Sequence, residues 1–363
     1  MSPARTLPAF PWDSLAGAKA LANSHEGGIV DLSVGTPADP TPQIVREALE
    51  ASSQAPGYPA VWGTPALRAA IISYFRNRWG SVELSERNVT TAVGTKEVVG
   101  WLPTLLSLGP DDTVVLPRVA YPTYEVGALM ARARIQRCDD PDQVEGSPSL
   151  IWINSPANPH GAVAPLDLLR RWVRLAQERG AVLAADECYA EFVYDAPAYT
   201  VLAPAVNDGD ITGLLAVQSL SKRSNMAGYR AGFIGGDAGI VGELTAVRKH
   251  LGMIVPAPVQ AAMVAALGDQ RHVDEQRARY AARRARMRAA LERAGFRIDR
   301  SEGSLYLWAT RGGPGRESID WLAERGILAA PGDFYGPFST DHVRISMTAT
   351  DERIAAAVER LTR

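Results

Sequence analysis

Four lysines occur in the 363 residues, Lys19, Lys96, Lys222 and Lys249, so few amines are available for covalent chemistry. One of them has the right neighbours. Lys222 lies in Ser219-Leu-Ser-Lys222-Arg-Ser-Asn-Met-Ala-Gly-Tyr-Arg230-Ala-Gly232, directly after a predicted buried strand over 214–218. The ends of strands in α/β sheets are where ligands bind. A lysine there can condense with an aldehyde and later shuttle a proton. Ser219, Ser221 and Arg230 surround it with hydroxyl and guanidinium donors suited to a phosphate. Alone, Lys222 would read as a solvated loop side chain. Its neighbours reverse that.

Five further elements add polar groups at predicted strand ends or helix starts. Asp186, in Ala184-Ala-Asp186-Glu187-Cys-Tyr189, follows an apolar run over 182–185. It offers a carboxylate to a protonated ring nitrogen, and Tyr189 offers a hydroxyl donor; the plain alternative is that Asp186 caps a helix. Asn158, in Asn154-Ser-Pro156-Ala-Asn158-Pro159-His-Gly161, is an amide donor at a proline-stiffened turn after a strand over 150–153. Gly94-Thr95-Lys96-Glu97 opens a predicted helix, whose free N–H groups and Thr95 hydroxyl make an anion site that Gly94 lets a phosphate approach. Lys96 is the rival amine, in a helix first turn that serves phosphate better. Tyr121, in Tyr121-Pro122-Thr-Tyr124, can stack on an aromatic cofactor or be a core tyrosine. Arg344, in Val343-Arg344-Ile345-Ser346, sits in an apolar strand and must be paired there, with a substrate carboxylate or an internal acid.

The elements needed to hold these groups are legible. Apolar runs over 89–92, 113–116, 150–153, 182–185, 214–218 and 231–234 alternate with helical patterns near 64–79, 96–107, 122–131, 166–179 and 238–249. That alternation predicts an α/β fold, a mostly parallel sheet covered on both faces by helices. A helix is predicted over 12–27, a short strand over 29–33, and a helix from Pro42 to about Ser52 with Thr41 as its cap. Past residue 270 come a long arginine-rich helix over 271–294, strands near 297–298, 305–309 and 343–346, and helices near 316–325 and 350–362. These predict a smaller α+β domain. The expected division is an N-terminal segment 1–34 packed with the small domain, a large domain 35–249, and a small domain 250–363.

Composition narrows the function. Charged residues make up 21%, hydrophobic ones 46%, and the net charge is −2, which gives no case for a nucleic-acid or anionic-membrane partner. Cys138 and Cys188 form no CxxC pair and the five histidines no HExxH, so neither a disulfide framework nor a metal site is expected. The uncharged stretch 251–268 contains Pro256 and Pro258 and reads as a buried crossover into a helix, with a membrane span as the minor alternative. Residues 1–28 lack a basic head followed by a long apolar run, so a cytoplasmic chain without signal peptide is expected.

The six motifs together, in this order and spacing, resemble the fold-type I pyridoxal 5'-phosphate (PLP) enzymes of aminotransferase class I/II, from Gly35 to about Arg344. The resemblance implies that Lys222 carries PLP as a Schiff base and that Asp186 pairs with the pyridine nitrogen. Asn158 and Tyr189 would contact the ring phenolate oxygen, and Tyr121 would stack on the ring. Thr95, the Lys96 backbone N–H, Ser219, Ser221 and Arg230 would hold the phosphate. Arg344 and the Gly35 backbone would take the substrate carboxylate. Tyr58-Pro-Ala-Val-Trp-Gly63-Thr-Pro-Ala-Leu67-Arg68 resembles a stretch whose tyrosine reaches the neighbouring subunit's phosphate, which implies a homodimer with shared sites.

Within the family, Lys222-Arg223-Ser-Asn225-Met-Ala-Gly, Tyr-Pro-Ala-Val-Trp-Gly and Glu302-Gly-Ser-Leu-Tyr-Leu-Trp are most similar to actinobacterial N-succinyldiaminopimelate aminotransferases. These exchange an amino group between glutamate and N-succinyl-2-amino-6-oxopimelate in lysine and diaminopimelate synthesis. Arg223, Asn225 and Arg118 are candidates for the distal carboxylates. Other readings are an aminotransferase of aspartate, aromatic or general specificity, a PLP lyase, or a non-catalytic PLP-fold regulator. A nicotinamide enzyme would want GxGxxG after the first strand; Gly232-Phe-Ile-Gly235-Gly236 has the wrong spacing and lies late.

Overall fold

In the strand Leu150–Asn154, Leu150 and Trp152 face one hydrophobic cluster while Ile151 and Ile153 face another. Strands apolar on both faces must be covered on both, and the computed structural model, which describes residues 7–362, shows how. Seven strands form one sheet in the order Val89–Ala92, Gly232–Gly236, Leu214–Ser219, Val182–Asp186, Leu150–Asn154, Thr113–Leu116, Arg134–Arg137. Gly232–Gly236 runs antiparallel to both its neighbours, and the other pairs are parallel.

Helices Thr95–Leu105, Thr123–Met130 and Ala238–Leu251 cover one face. Gln43–Ala51, Pro65–Trp79, Leu166–Arg179 and Ala257–Gly268 cover the other. Local chemistry sets their ends. The Thr64 hydroxyl accepts from Leu67 N–H at 3.2 Å before Pro65, and Asp237 caps Gly239 N–H at 2.8 Å. Gly80 (φ 60) and Gly180 (φ 64) end their helices in the left-handed conformation that costs glycine least.

The second sheet has four antiparallel strands, in the order Ala330–Pro331, Val343–Ser346, Tyr306–Thr310, Arg297–Asp299. Helices Arg271–Arg293, Gly315–Ala323 and Asp351–Thr362 pack around it in a third cluster. Val30–Asp31 pairs in parallel with Ile327–Leu328, tying the N-terminal part to this end. A buried fork adds to the tie: Arg283 holds both oxygens of Asp39 at 2.7 Å and Asp351 at 2.7 Å. Burial alone would raise the Asp39 carboxyl, but hydrogen bonds from Arg283 and Gln276 hold it below its ordinary value.

Several expectations shift. The helix expected over 12–27 is a 3-10 turn, Pro11–Leu15, then a helix Ala16–Asn23. Thr41 does not cap the helix after it. Its hydroxyl donates to Asn225 C=O at 2.9 Å, and Pro42 has extended backbone. The edge strand Arg134–Arg137 was not legible, because an edge needs no continuous apolar run. The expected boundary after residue 249 precedes helix Ala257–Gly268, whose Ala262, Met263 and Ala266 join the core beside the seven-stranded sheet. Among the described residues no helix is long and apolar enough to cross a membrane.

Candidate active site

Parallel strands bring their C-terminal ends to one edge of the sheet. Asn154, Asp186 and Ser219 each end such a strand, and beyond them opens a cavity of about 920 Å³. After Ser219 the chain makes one helical turn, Leu220–Arg223, with the Ser219 hydroxyl accepting from Ser221 N–H at 3.1 Å. That turn presents Lys222 to the cavity, where its ammonium donates to Gly35 C=O. Gly35, Thr95, Lys96, Tyr121, Asn158, Asp186, Tyr189, Ser219, Ser221, Lys222, Arg230 and Arg344 all line this one space. They come from both sheets and from the segment before the first of them.

Asp186 is buried and in no ion pair among the described residues. It accepts from Tyr124 O–H at 2.8 Å and Cys188 N–H at 3.2 Å. Burial raises its carboxyl, and hydrogen bonds from the Cys188 thiol, Tyr124 and the Cys188 N–H recover only part of the shift. Tyr121 meets Tyr124 edge-on at 5.9 Å, and burial pushes its phenol up to about 12.

On the opposite wall Arg344 is buried, donating to Asn158 Oδ1 at 2.9 Å and Ser33 C=O at 2.6 Å. Its Nε has no partner, and its guanidinium lies 4.0 Å from the centre of the Tyr306 ring. Arg230 has a left-handed backbone (φ 55) and lies across Gly94, where a Cβ would run into the guanidinium. Among the described residues no protein acceptor takes the Thr95 or Ser221 hydroxyl.

These groups fit PLP. An acid held up by burial without a cation suits a protonated pyridine nitrogen. Unengaged hydroxyls, a glycine with no room for a side chain and an arginine at a helix start suit a phosphate. A buried arginine with an unpartnered Nε suits a carboxylate.

Apart from Gly94, which lies behind Arg230, four expected residues lie outside the cavity lining. Tyr58 is fully exposed. Arg223 is a correction: it is 3% exposed and turned to the helices, not to a ligand. Successive residues of a helical turn point about 100° apart, so Lys222 facing the cavity sends Arg223 away. There it meets Glu191 at 3.3 Å, Ala266 C=O at 2.7 Å and Gln270 at 3.1 Å. Asn225 is a second correction. It takes a left-handed backbone (φ 51) and donates to Pro40 C=O at 3.3 Å and Gln276 at 3.2 Å. Arg118 is the third, lying 4.2 Å from the Phe338 ring with its N–H on Asp139.

Sequence reasoning missed Tyr124, Tyr306, Asn154 and Cys188, together with Phe10 and Trp12 on the outer wall. Tyr124, Asn154, Cys188 and Tyr306 all stood inside quoted motifs, but nothing local gave them a role.

Residues 28–361 match the family described as "Aminotransferase class I and II". The chain is 58% identical over 358 residues to a probable aminotransferase, Rv1178, of Mycobacterium tuberculosis, covering 98% of this chain and 86% of the relative. It is 53% identical over 359 residues to the 4-dedimethylamino-4-oxo-anhydrotetracycline transaminase OxyQ of Streptomyces rimosus, covering 99% and 100%. The structure of a probable N-succinyldiaminopimelate aminotransferase from Thermus thermophilus superposes with TM-score 0.88 at 28% identity, covering 97% of this chain and 99% of that one.

The inward Arg223 yields a prediction. Its loss leaves Glu191, 4% exposed, with Arg78 as its one remaining ion-pair partner among the described residues. Arg223→Ala should lower unfolding stability by roughly 3 kcal/mol in urea titration, while the ratio of kcat/KM between two keto-acid acceptors stays at the wild-type value. An altered ratio would contradict the placement.

Proposed function

Because the chain belongs to the class I and II aminotransferases, PLP enzymes that act on amino acids and keto acids, we propose that it moves an amino group between glutamate and a keto acid bearing a distal carboxylate. N-succinyl-2-amino-6-oxopimelate is the acceptor favoured, which would serve diaminopimelate and lysine synthesis. The observation that carries the substrate class is Lys96. Lys96 lines the cavity at its exposed rim, with no carboxylate partner among the described residues and its ammonium 5.9 Å from the centre of the Phe10 ring. The sequence offered Lys96 as a rival amine and as a backbone N–H for phosphate, not as a substrate ligand. The 28%-identical Thermus thermophilus structure supports the same choice.

In this reading the chain's residues divide the work. When bound, PLP supplies an aldehyde for the amino group and a ring that draws electrons from the α-carbon. Lys222 Nζ would hold the aldehyde carbon between turnovers, and its freed amine would carry the proton from the substrate α-carbon to that carbon. Asp186 keeps a proton on the pyridine nitrogen. Asn158 Nδ2 and Tyr189 O–H donate to the phenolate oxygen, and Tyr121 stacks against the ring. Thr95, the Lys96 N–H, Ser219, Ser221 and Arg230 hold the phosphate. Arg344 and the Gly35 N–H receive the α-carboxylate.

A second reading has its own support. The 53%-identical relative is named for a polycyclic ketone acceptor, and Phe10, Trp12, Val34 and Val126 give this cavity a broad apolar flank. A panel of acceptors that includes a polycyclic ketone and a keto acid with a distal carboxylate separates the two.

Purified holoenzyme given glutamate should release 2-oxoglutarate and take on a pyridoxamine spectrum. Lys222→Arg should do neither, and turnover by that variant would sink the assignment. Lys96→Met should raise KM for acceptors with a distal carboxylate by roughly 10- to 100-fold, the worth of one charged hydrogen bond, with little change for monocarboxylic acceptors. An equal effect on both would remove Lys96 from substrate recognition.

The homodimer belongs to the same proposal. Tyr58 is 101% exposed, as an aromatic side chain awaiting a second copy would be. From there it would complete the phosphate site of the other subunit. Sedimentation equilibrium should give twice the chain mass at micromolar concentration; a monomer there rules out shared sites.

A further inference from the structure

Tyr306 carries no signal of a role in the sequence, yet it touches three parts of the site. It is 3% exposed at the start of the strand Tyr306–Thr310. Its strand pairs with that of Arg344, Trp308 lying opposite Arg344 and Tyr306 opposite Ser346. Tyr306 and Arg344 are therefore diagonal neighbours on one face, close enough for ring and guanidinium to meet at 4.0 Å. Its phenol also fills the space beside Gly35, where any Cβ would strike it. Its hydroxyl lies 3.0 Å from that of Tyr189, with the rings at 69°. Among the described residues each hydroxyl has only the other as partner.

Two hydroxyls carry two protons, and only one proton fits between them. The guanidinium settles which way it runs. A cation on the face of the Tyr306 ring draws electron density from its oxygen and makes that hydroxyl the stronger donor. Tyr306 then donates to Tyr189, and the Tyr189 proton is free to point into the cavity. A hydroxyl that already accepts a hydrogen bond donates a stronger one. Burial, followed by the field of Tyr306, keeps the Tyr189 phenol protonated and so able to donate.

We infer that Tyr306 is a positioning residue: it fixes the Tyr189 hydroxyl as a donor aimed at the phenolate oxygen of the bound cofactor and thereby sets the pH at which the Lys222-linked nitrogen loses its proton. This rests on the role proposed above for Tyr189. A donor at the phenolate oxygen favours the form with negative oxygen and unprotonated nitrogen, which lowers the midpoint of that titration. Removing the Tyr306 hydroxyl weakens the donor, so the midpoint rises.

The test is a pH titration of cofactor absorbance in the holoenzyme. Tyr306→Phe keeps the ring under Arg344 and removes only the hydroxyl. It should raise the midpoint by roughly half to one unit and move the acid limb of kcat/KM the same way. In a Tyr189→Phe background the same change should add nothing, since the chain is already cut. Tyr335→Phe is the control. It removes another buried hydroxyl near Arg344, one with no hydrogen-bond partner, and should leave the midpoint in place. An unmoved midpoint in Tyr306→Phe, an additive double variant, or an equal shift in Tyr335→Phe overturns the inference. The formation of 2-oxoglutarate is scored separately, so a failed aminotransferase assignment and a failed role for Tyr306 remain distinguishable.

Discussion

A carboxyl group buried at the end of an apolar strand creates a demand that the surrounding structure must meet. Asp186 has a phenol, the Cys188 thiol and one backbone N–H for partners and no cation among the described residues. Leaving an acid there without compensation costs several kcal/mol if it ionises. A sheet selected for stability alone would place an apolar residue at that position, like the alanines before it. Much of the site's arrangement follows from this demand. Tyr124 is held edge-on to Tyr121 and stacked at 4.9 Å on Trp152, so that its hydroxyl meets the acid. The same sheet edge keeps Lys222 and Asn154 within one cavity with it.

The opposite wall is built on the same logic with the sign reversed. Arg344 is a buried cation whose neighbours are acceptors and ring faces, not acids: Asn158 Oδ1, Ser33 C=O, Tyr306 and Tyr335. No carboxylate among the described residues neutralises it, so a carboxylate from outside finds an unspent charge. The two walls come from different sheets, and their relative position depends on ties such as Val30–Asp31 against Ile327–Leu328 and the Arg283 fork on Asp39. An acid and an arginine are thus each left incompletely paired, facing the same space. That arrangement is expensive for folding and useful for binding an amphoteric ligand.

What the sequence made legible was local. Asp186, Asn158 and Lys222 each follow an apolar run within a few residues, so strand and site residue are read together. The helices over 166–179 and near 64–79 carried their own start and stop signals in Thr64-Pro65, Gly80 and Gly180. Two kinds of information were missing. Contacts between distant segments leave no local trace: Tyr306 meets Tyr189 across 117 residues, and Tyr124 meets Asp186 across 62. Side-chain direction within a tight turn is also invisible, and there adjacency misleads. Arg223 and Asn225 stand beside Lys222 in sequence, which made them candidates for the substrate, but a turn of helix and a left-handed residue direct them elsewhere.

That misdirection has a physical use. The short turn Leu220–Arg223 has too few internal hydrogen bonds to be rigid by itself. Its reactive side must be held from its other side. Arg223 does this through Glu191, which also binds Arg78 at 2.9 Å, and through the C-terminal part of helix Ala257–Gly268 at Ala266. Ser224 extends the anchor to His272, and Asn225 to Gln276, both on the helix Arg271–Arg293. Residues 223–225 therefore fasten the segment to three helices, while Lys222 alone turns inward. The role proposed for Lys222 needs a mobile side chain on an immobile backbone, and the polar residues that resembled substrate ligands supply the second of these.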